Sequence, residues 1–189
     1  MSSQERRVGV DLGMTDQEKQ ELRNIARTVL ENKAREKPVP EFSPAAEKLC
    51  EMRGAFVTIY KRGMLRGCIG CLEADRPVYK TVVEMAEAAA FCDPRFRPIT
   101  EEELPYLDFE ISVLTPLERI HDASQVQVGL HGIMIRKGRC CGLLLPQVAT
   151  ERNWDTKTFL EETCRKAGLP MDTWKDKETE IYIFSADVF

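Results

Sequence analysis

The chain has 189 residues, with 27 Lys and Arg against 31 Asp and Glu, for a formal net charge of −4. A chain of this length can bury roughly 70% of its unfolded surface, so it needs no metal or disulfide staples, and the mild charge argues against a dedicated nucleic-acid binder and against a disordered acidic tail. The opening MSSQERR lacks an apolar signal core, and no run of about 18 apolar residues occurs, which predicts a cytoplasmic protein with reduced thiols and no membrane span.

Residues 1–14 are polar and read as a flexible arm. A helix follows over about 15–35: Thr15 with Glu18 forms a capping box, and Leu22, Ile25, Ala26, Val29 and Leu30 make one apolar stripe. Pro38 and Pro40 end it. Ser43-Pro44 predicts the start of a short helix, with Ser as cap and Pro at the first helical position. Residues 54–60 and 64–69 read as two strands of a hairpin around Lys61-Arg62-Gly63. Pro77 opens a helix to about 90, with Val78, Val82, Met85, Ala86 and Ala89 inward. The small residues Ala86, Ala88, Ala89 and Ala90 imply a close neighbour.

Asp93-Pro94 breaks that helix. Leu107, Phe109, Ile111 and Val113 alternate with polar residues, as in a half-buried strand. Residues 129–135 and 140–145 predict a second hairpin around Lys137-Gly138. Asp155 caps a helix carrying Phe159, Leu160, Thr163, Cys164 and Ala167, which Gly168 and Pro170 stop. Residues 181–186 read as the last strand. Tight hairpins mixed irregularly with helices give an α+β fold with antiparallel sheets flanked by helices. Residues 15–189 are expected to form a single domain, with room for two lobes.

The stretch Leu65-Arg66-Gly67-Cys68-Ile69-Gly70 carries the most chemistry. Residues two apart on a strand share a face, so Arg66 and Cys68 are expected side by side, and a neighbouring Arg lowers a thiol's pKa. Gly67 and Gly70 leave room for a ligand or another backbone. The competing reading is a buried structural cysteine in a hairpin. His131, between Leu130 and Gly132, could act as a general base toward Cys68, or could be bonded into a turn. His121 reads as a solvated loop residue.

Asp93-Pro94-Arg95-Phe96-Arg97-Pro98 is a stiff loop that offers a preset charged pair or an anion contact; the plain alternative is an exposed ion pair of little energetic weight. Glu110 and Ser112 lie on the polar face of their strand, toward a cleft or toward water. Cys68 and Cys71 with Cys140 and Cys141 supply four thiols, but adjacent strand residues point to opposite faces and make poor joint zinc ligands, so no metal and no cofactor is expected. A redox dithiol is equally poorly supported in a strand. Cys50, Cys92 and Cys164 read as small core residues, and Trp154 and Trp174 as core or rim packing.

Residues 65–70 resemble the signature of the AMME chromosomal region candidate protein family (the AMMECR domain), whose prokaryotic members are called AmmeMemoRadiSam system protein A. The resemblance continues through Ala89-Ala90, Asp93-Pro94-Arg95-Phe96, Glu102-Glu103-Leu104, Ile111-Ser112-Val113-Leu114 and Gly129-Leu130-His131-Gly132-Ile133. It extends to Leu145-Pro146-Gln147-Val148-Ala149, Trp154-Asp155, Phe159-Leu160 and Lys166-Ala167-Gly168-Leu169, thus over roughly residues 15–189. It implies a compact two-lobed α+β fold, no established function, and genomic company with Memo-like and radical SAM proteins. Cys68, Arg66 and His131 match the family's motifs.

Three functions stand open on this basis. One is an enzyme with Cys68 as thiolate nucleophile, His131 as base, and Arg66, Gly67, Gly70, Asp93, Arg95, Glu110 and Ser112 lining the substrate. The second is a non-catalytic small-ligand or protein-binding module. The third, a nucleic-acid role, is opposed by the net charge.

Overall fold

The computed structural model describes residues 9–189. Its helices are α1 (Asp16–Ala34), α2 (Glu47–Cys50), α3 (Val78–Phe91), α4 (Pro146–Glu151) and α5 (Thr156–Lys166). Its strands are β1 (Ala55–Lys61), β2 (Met64–Cys71), β3 (Leu107–Leu114), β4 (Glu118–Ile120), β5 (Gly132–Lys137), β6 (Cys140–Leu144), β7 (Glu180–Phe184) and β8 (Ala186–Val188). The chain divides into two compact units, one of Leu12–Leu114 with Val188–Phe189, the other of Thr115–Asp187 with residues 9–11 among those described. Both rest on antiparallel pairing, so the α+β class holds.

One four-stranded sheet has the order β2-β1-β3-β8, and its strands β1, β2 and β3 belong wholly to the first unit. Helix α1 starts as its capping box predicts: Thr15 Oγ1 accepts the Glu18 N–H at 3.2 Å, and the Glu18 carboxylate accepts the Thr15 N–H at 2.7 Å. Its predicted stripe is buried, with Leu22 and Leu30 fully so, and each such side chain contributes about 2 kcal/mol of apolar burial. The stripe meets α3 and the core face of the sheet, where Val57, Ile59, Ile111 and Val113 have no exposure. Helix α3 buries Val78, Thr81, Val82, Ala86, Ala89 and Ala90, while Met85 stays half-buried. Phe189 closes the chain against β3, exchanging backbone hydrogen bonds with Ile111 at 2.8 and 3.0 Å.

The second unit has strand order β4-β7-β5-β6. Its own core gathers Ile133, Ile135, Phe159, Leu160 and Cys164. Asp155 caps α5 by accepting the Thr158 N–H at 2.7 Å, and Gly168 ends the helix region at φ +74°, in the left-handed region that glycine tolerates. No helix among the described residues is long and apolar enough to cross a membrane.

Several local expectations are corrected. Residues 43–46 are not helical, and the short helix begins at Glu47 behind Ala46 without a side-chain cap. A single turn has little intrinsic stability, so its position follows the packing of Leu49, which is fully buried. The last strand splits at Ser185, whose N–H bonds the Thr115 hydroxyl at 2.8 Å. Cys50 and Cys92 are exposed and only Cys164 is buried, because Cys92 lies one residue beyond α3 and Cys50 ends a single turn that buries Leu49. Of the segment read as an arm, residues 1–8 lie outside the described residues, Gly9 bridges Asp187, and Met14 is buried in the first unit's core.

Candidate functional site

Strand β2 holds the signature, at the edge of its sheet. Its register against β1 shifts once: Ile59 faces Gly67, but Tyr60 faces Leu65, so Arg66 is an extra residue. Such a bulge breaks the two-residue alternation and re-aims a side chain. The expected pairing of Arg66 with Cys68 on one face is therefore corrected. Arg66 reaches Glu103 through two parallel bonds, both at 3.0 Å, and Lys61 Nζ adds a third cation contact to that carboxylate at 2.8 Å. Together they hold the Glu103 pKa down at about 2. Arg66 is itself largely buried, its side chain 13% exposed.

The two glycines have different duties. A Cβ on Gly67 would lie 2.1 Å from the backbone oxygen of Ala89. This is the close neighbour that the small residues of α3 imply: helix and strand touch through backbone. A Cβ on Gly70 would lie 2.1 Å from the Phe56 ring, which fills the space over its cross-strand partner.

An edge strand exposes unpaired backbone groups, and at Cys68 they are capped by the stiff loop after α3. Asp93 Oδ2 accepts the Cys68 N–H at 2.9 Å, and Arg95 Nη2 donates to the Cys68 carbonyl at 3.2 Å. The two capping side chains grip each other, Arg95 Nε to Oδ1 at 3.0 Å and Nη2 to Oδ2 at 2.7 Å, while the Arg95 N–H also bonds Oδ1 at 3.1 Å. Asp93 is 4% exposed, so this is a buried carboxylate with several donors, and the Arg95 guanidinium first among them holds its carboxyl well below the usual carboxylate range. The Phe96 ring has two guanidinium groups near it, that of Arg66 at 5.8 Å and that of Arg95 at 5.5 Å from its centre.

The Cys68 side chain faces the other side of the sheet. Its sulfur is 3.3 Å from the Thr58 hydroxyl, within a row that runs Cys68, Thr58, Glu110 across β2, β1 and β3. Burial pushes the thiol pKa up; the Thr58 hydrogen bond and the Arg95 charge oppose this, while Asp93 and Glu110 reinforce it. The thiolate-favouring environment expected from Arg66 is thus replaced by one that favours the neutral thiol. Ser112, opposite Phe56 in the next row, is 1% exposed.

His131 belongs to the second unit. It stands in the turn before β5 rather than on the strand: its N–H bonds the Gln127 carbonyl at 2.9 Å, and its Nδ1 accepts the Gln127 N–H at 3.2 Å. A neutral imidazole with Nδ1 accepting carries its proton on Nε2. Burial lowers the His131 pKa, which favours that neutral form. The other ring nitrogen is then a donor, with a hydrogen bond to the Gln125 backbone, and proton abstraction from a thiol is left without an acceptor.

The first unit therefore gathers Gly67, Cys68, Gly70, Asp93, Arg95, Glu110 and Ser112 on or beside one sheet, with Arg66 turned to Glu103. Thr58, Glu103, Lys61 and Phe56 complete the arrangement but were not singled out by spacing. Glu103 had a signal in its acidic run, whereas Thr58 sits inside an apolar strand and offers none. Among the described residues no group of three or more His, Cys, Asp or Glu could hold a metal ion.

Comparison with known proteins agrees with these motifs. A sequence model of the family described as AMMECR1 matches residues 23–189. A protein of Methanothermobacter thermautotrophicus is 48% identical over 145 residues, 74% of this chain and 76% of its own. Protein NEQ441 of Nanoarchaeum equitans is 41% identical over 175 residues, 89% of this chain and 97% of its own. The crystal structure of the uncharacterized protein PH0010 from Pyrococcus horikoshii superposes with a TM-score of 0.88 at 37% identity, covering 93% of this chain and 92% of that one. The match spans both units and every signature residue described above, and the chain belongs to the AMMECR1 family.

Proposed function

We propose that the chain is a non-catalytic binding module whose signature strand is a rigid platform for a protein partner. The carrying observation is the state of Cys68: its thiol is pushed toward the neutral form, and the two nearby arginines are held by Glu103 and Asp93. A thiolate nucleophile needs the opposite environment, and His131 presents a donor where a base needs an acceptor. The same unit exposes apolar side chains at the end of its hairpin. Met64 is 71% exposed and Leu65 42%, and exposed Tyr106 carries the Arg62 guanidinium 4.3 Å from its ring centre. Aromatic, Met and Arg side chains of this kind are enriched where proteins bury contact area. The partners this reading assigns are the Memo-like and radical SAM proteins that the family resemblance implies.

Site-resolved alkylation across pH tests the chemical half. The expected result is that Cys68 reacts more slowly than exposed Cys140, with a pKa above the free-thiol value of about 8.5. A Cys68 pKa about one unit or more below that value would restore the thiolate enzyme. Co-purification with the Memo-like and radical SAM proteins of the same organism tests the other half. Met64→Asp with Leu65→Asp should abolish it and Cys68→Ser should preserve it; the reverse pattern overturns the module.

A further inference from the structure

The second unit carries a cleft that the signature strand does not use. Its volume is about 420 Å³ and it is lined by Leu144, Val148, Arg152, Trp154, Glu162, Arg165 and Lys166. This size lies at the scale of pockets that take small organic ligands.

The cleft follows from local sequence. Helix α4 ends at Glu151 with Arg152 as its C-cap, and Asn153 takes φ +52°, a left-handed conformation that Asn tolerates better than most residues. The turn lets Trp154 N–H bond back to Ala149 O at 2.9 Å, which sets the indole beside the end of α4. Helix α5 then brings Glu162, Arg165 and Lys166, spaced three and four apart, onto one face. Leu144 at the end of β6 and Val148 on α4 supply the apolar wall.

The charges do not cancel. Glu162 is paired with Arg165, so that cation neutralises the cleft's one carboxylate. Arg152 lies over the Trp154 ring, 5.3 Å from its centre, and no acidic side chain among the described residues pairs with it or with Lys166. A cation stacked on an indole keeps its charge and its N–H fork. Arg152 and Lys166 beside Trp154, Leu144 and Val148 match an anion joined to a flat or apolar body. Arg recognises phosphate through paired N–H donors and Lys through a point charge.

We propose that this cleft binds a small organic phosphate of mononucleotide size, its phosphate on Arg152 and Lys166 and its flat body against Trp154, Leu144 and Val148. Every residue lining it belongs to the second unit.

Calorimetry on the full chain tests this with adenosine monophosphate, adenosine and inorganic phosphate as probes. The expected result is saturable 1:1 binding of the nucleotide, with adenosine and phosphate each at least about tenfold weaker, which corresponds to about 1.4 kcal/mol. Arg152→Ala and Lys166→Ala should each weaken the nucleotide about tenfold, while Lys177→Ala, on an exposed loop of the same unit, should leave it unchanged. Thermal melting of each variant separates lost binding from lost folding. A nucleotide that fails to saturate at about 1 mM, or that binds equally well to both cleft variants, overturns the proposal. Equal affinity for inorganic phosphate and the nucleotide also overturns it, since the cleft wall then contributes nothing.

Discussion

Removing the Asp93 carboxylate should loosen the edge of the first sheet. In Asp93→Ala the Cys68 N–H loses its acceptor at 2.9 Å, and the Arg95 side chain loses bonds at 3.0 and 2.7 Å. A backbone donor left unsatisfied in a buried place costs about 1–3 kcal/mol. The Arg95 bonds are charge-assisted, but that side chain is 50% exposed, so water takes over much of their contribution and about 1 kcal/mol is the appropriate share. The sum is a destabilisation of about 3 kcal/mol. For a chain of this length, each kcal/mol moves the melting temperature by about 2–4 °C, so the expected fall is about 6–12 °C.

Asp93→Asn isolates the charge. Its amide oxygen can still accept the Cys68 N–H, so it should lose about half as much as Asp93→Ala. Urea denaturation measures both variants. A loss below about 0.5 kcal/mol for Asp93→Ala, the range of an ordinary surface change, would refute the capped edge. An equal loss for the two variants would refute the assignment of most of the effect to the Cys68 N–H.

Gly67→Ala should be among the most damaging single-methyl changes in the chain, because its Cβ meets backbone at 2.1 Å and neither helix nor strand can yield cheaply; a loss of about 3 kcal/mol is expected in the same urea assay. Glu103 has a folded pKa of about 2 against an ordinary 4.5. The unfolded chain therefore takes up the proton first, and the stability this group adds is complete above about pH 4.5 and is lost as pH falls toward 2; Glu103→Gln should flatten the measured stability slope across that window. His131 titrates lower in the folded protein than in the unfolded chain, so it lowers stability as pH falls below about 6.5, and His131→Gln should remove that dependence.

The elements that the sequence made legible are those governed by local rules. Thr15 and Glu18, the α1 stripe, Asp155 and Gly168 act through neighbours a few residues away, and the structure repeats them. The elements that spacing misplaced depend on distant partners. Nothing between residues 59 and 67 announces a bulge; it becomes visible only when β1 and β2 are paired, and it removes Arg66 from Cys68. The alternation rule was sound for Cys68, which does stand opposite Thr58, and failed at the one residue with no partner. Asp93 and Arg95 were legible as a held pair, because the loop is stiff, but not as a cap, since their target lies 25 positions away. The exposure of Cys50 and Cys92 was illegible for a similar reason, as small apolar residues at helix ends carry no periodic signal.

Four of the six signature residues thus have assembly roles before any chemistry is needed. Gly67 lets α3 touch the sheet, Gly70 seats the Phe56 ring, and Arg66 ties the bulge to Glu103. Cys68 offers the edge N–H and carbonyl that Asp93 and Arg95 close. Each role constrains backbone position, and three of them act on consecutive residues, Arg66, Gly67 and Cys68. A nucleophile could be added to such a strand only where its thiol were freed from burial, and here the side chain is turned onto Thr58 instead. A strand so closely fixed, with apolar Met64 and Leu65 exposed at its hairpin end, loses little conformational freedom when a partner covers it, which is the condition under which a modest contact area gives useful affinity.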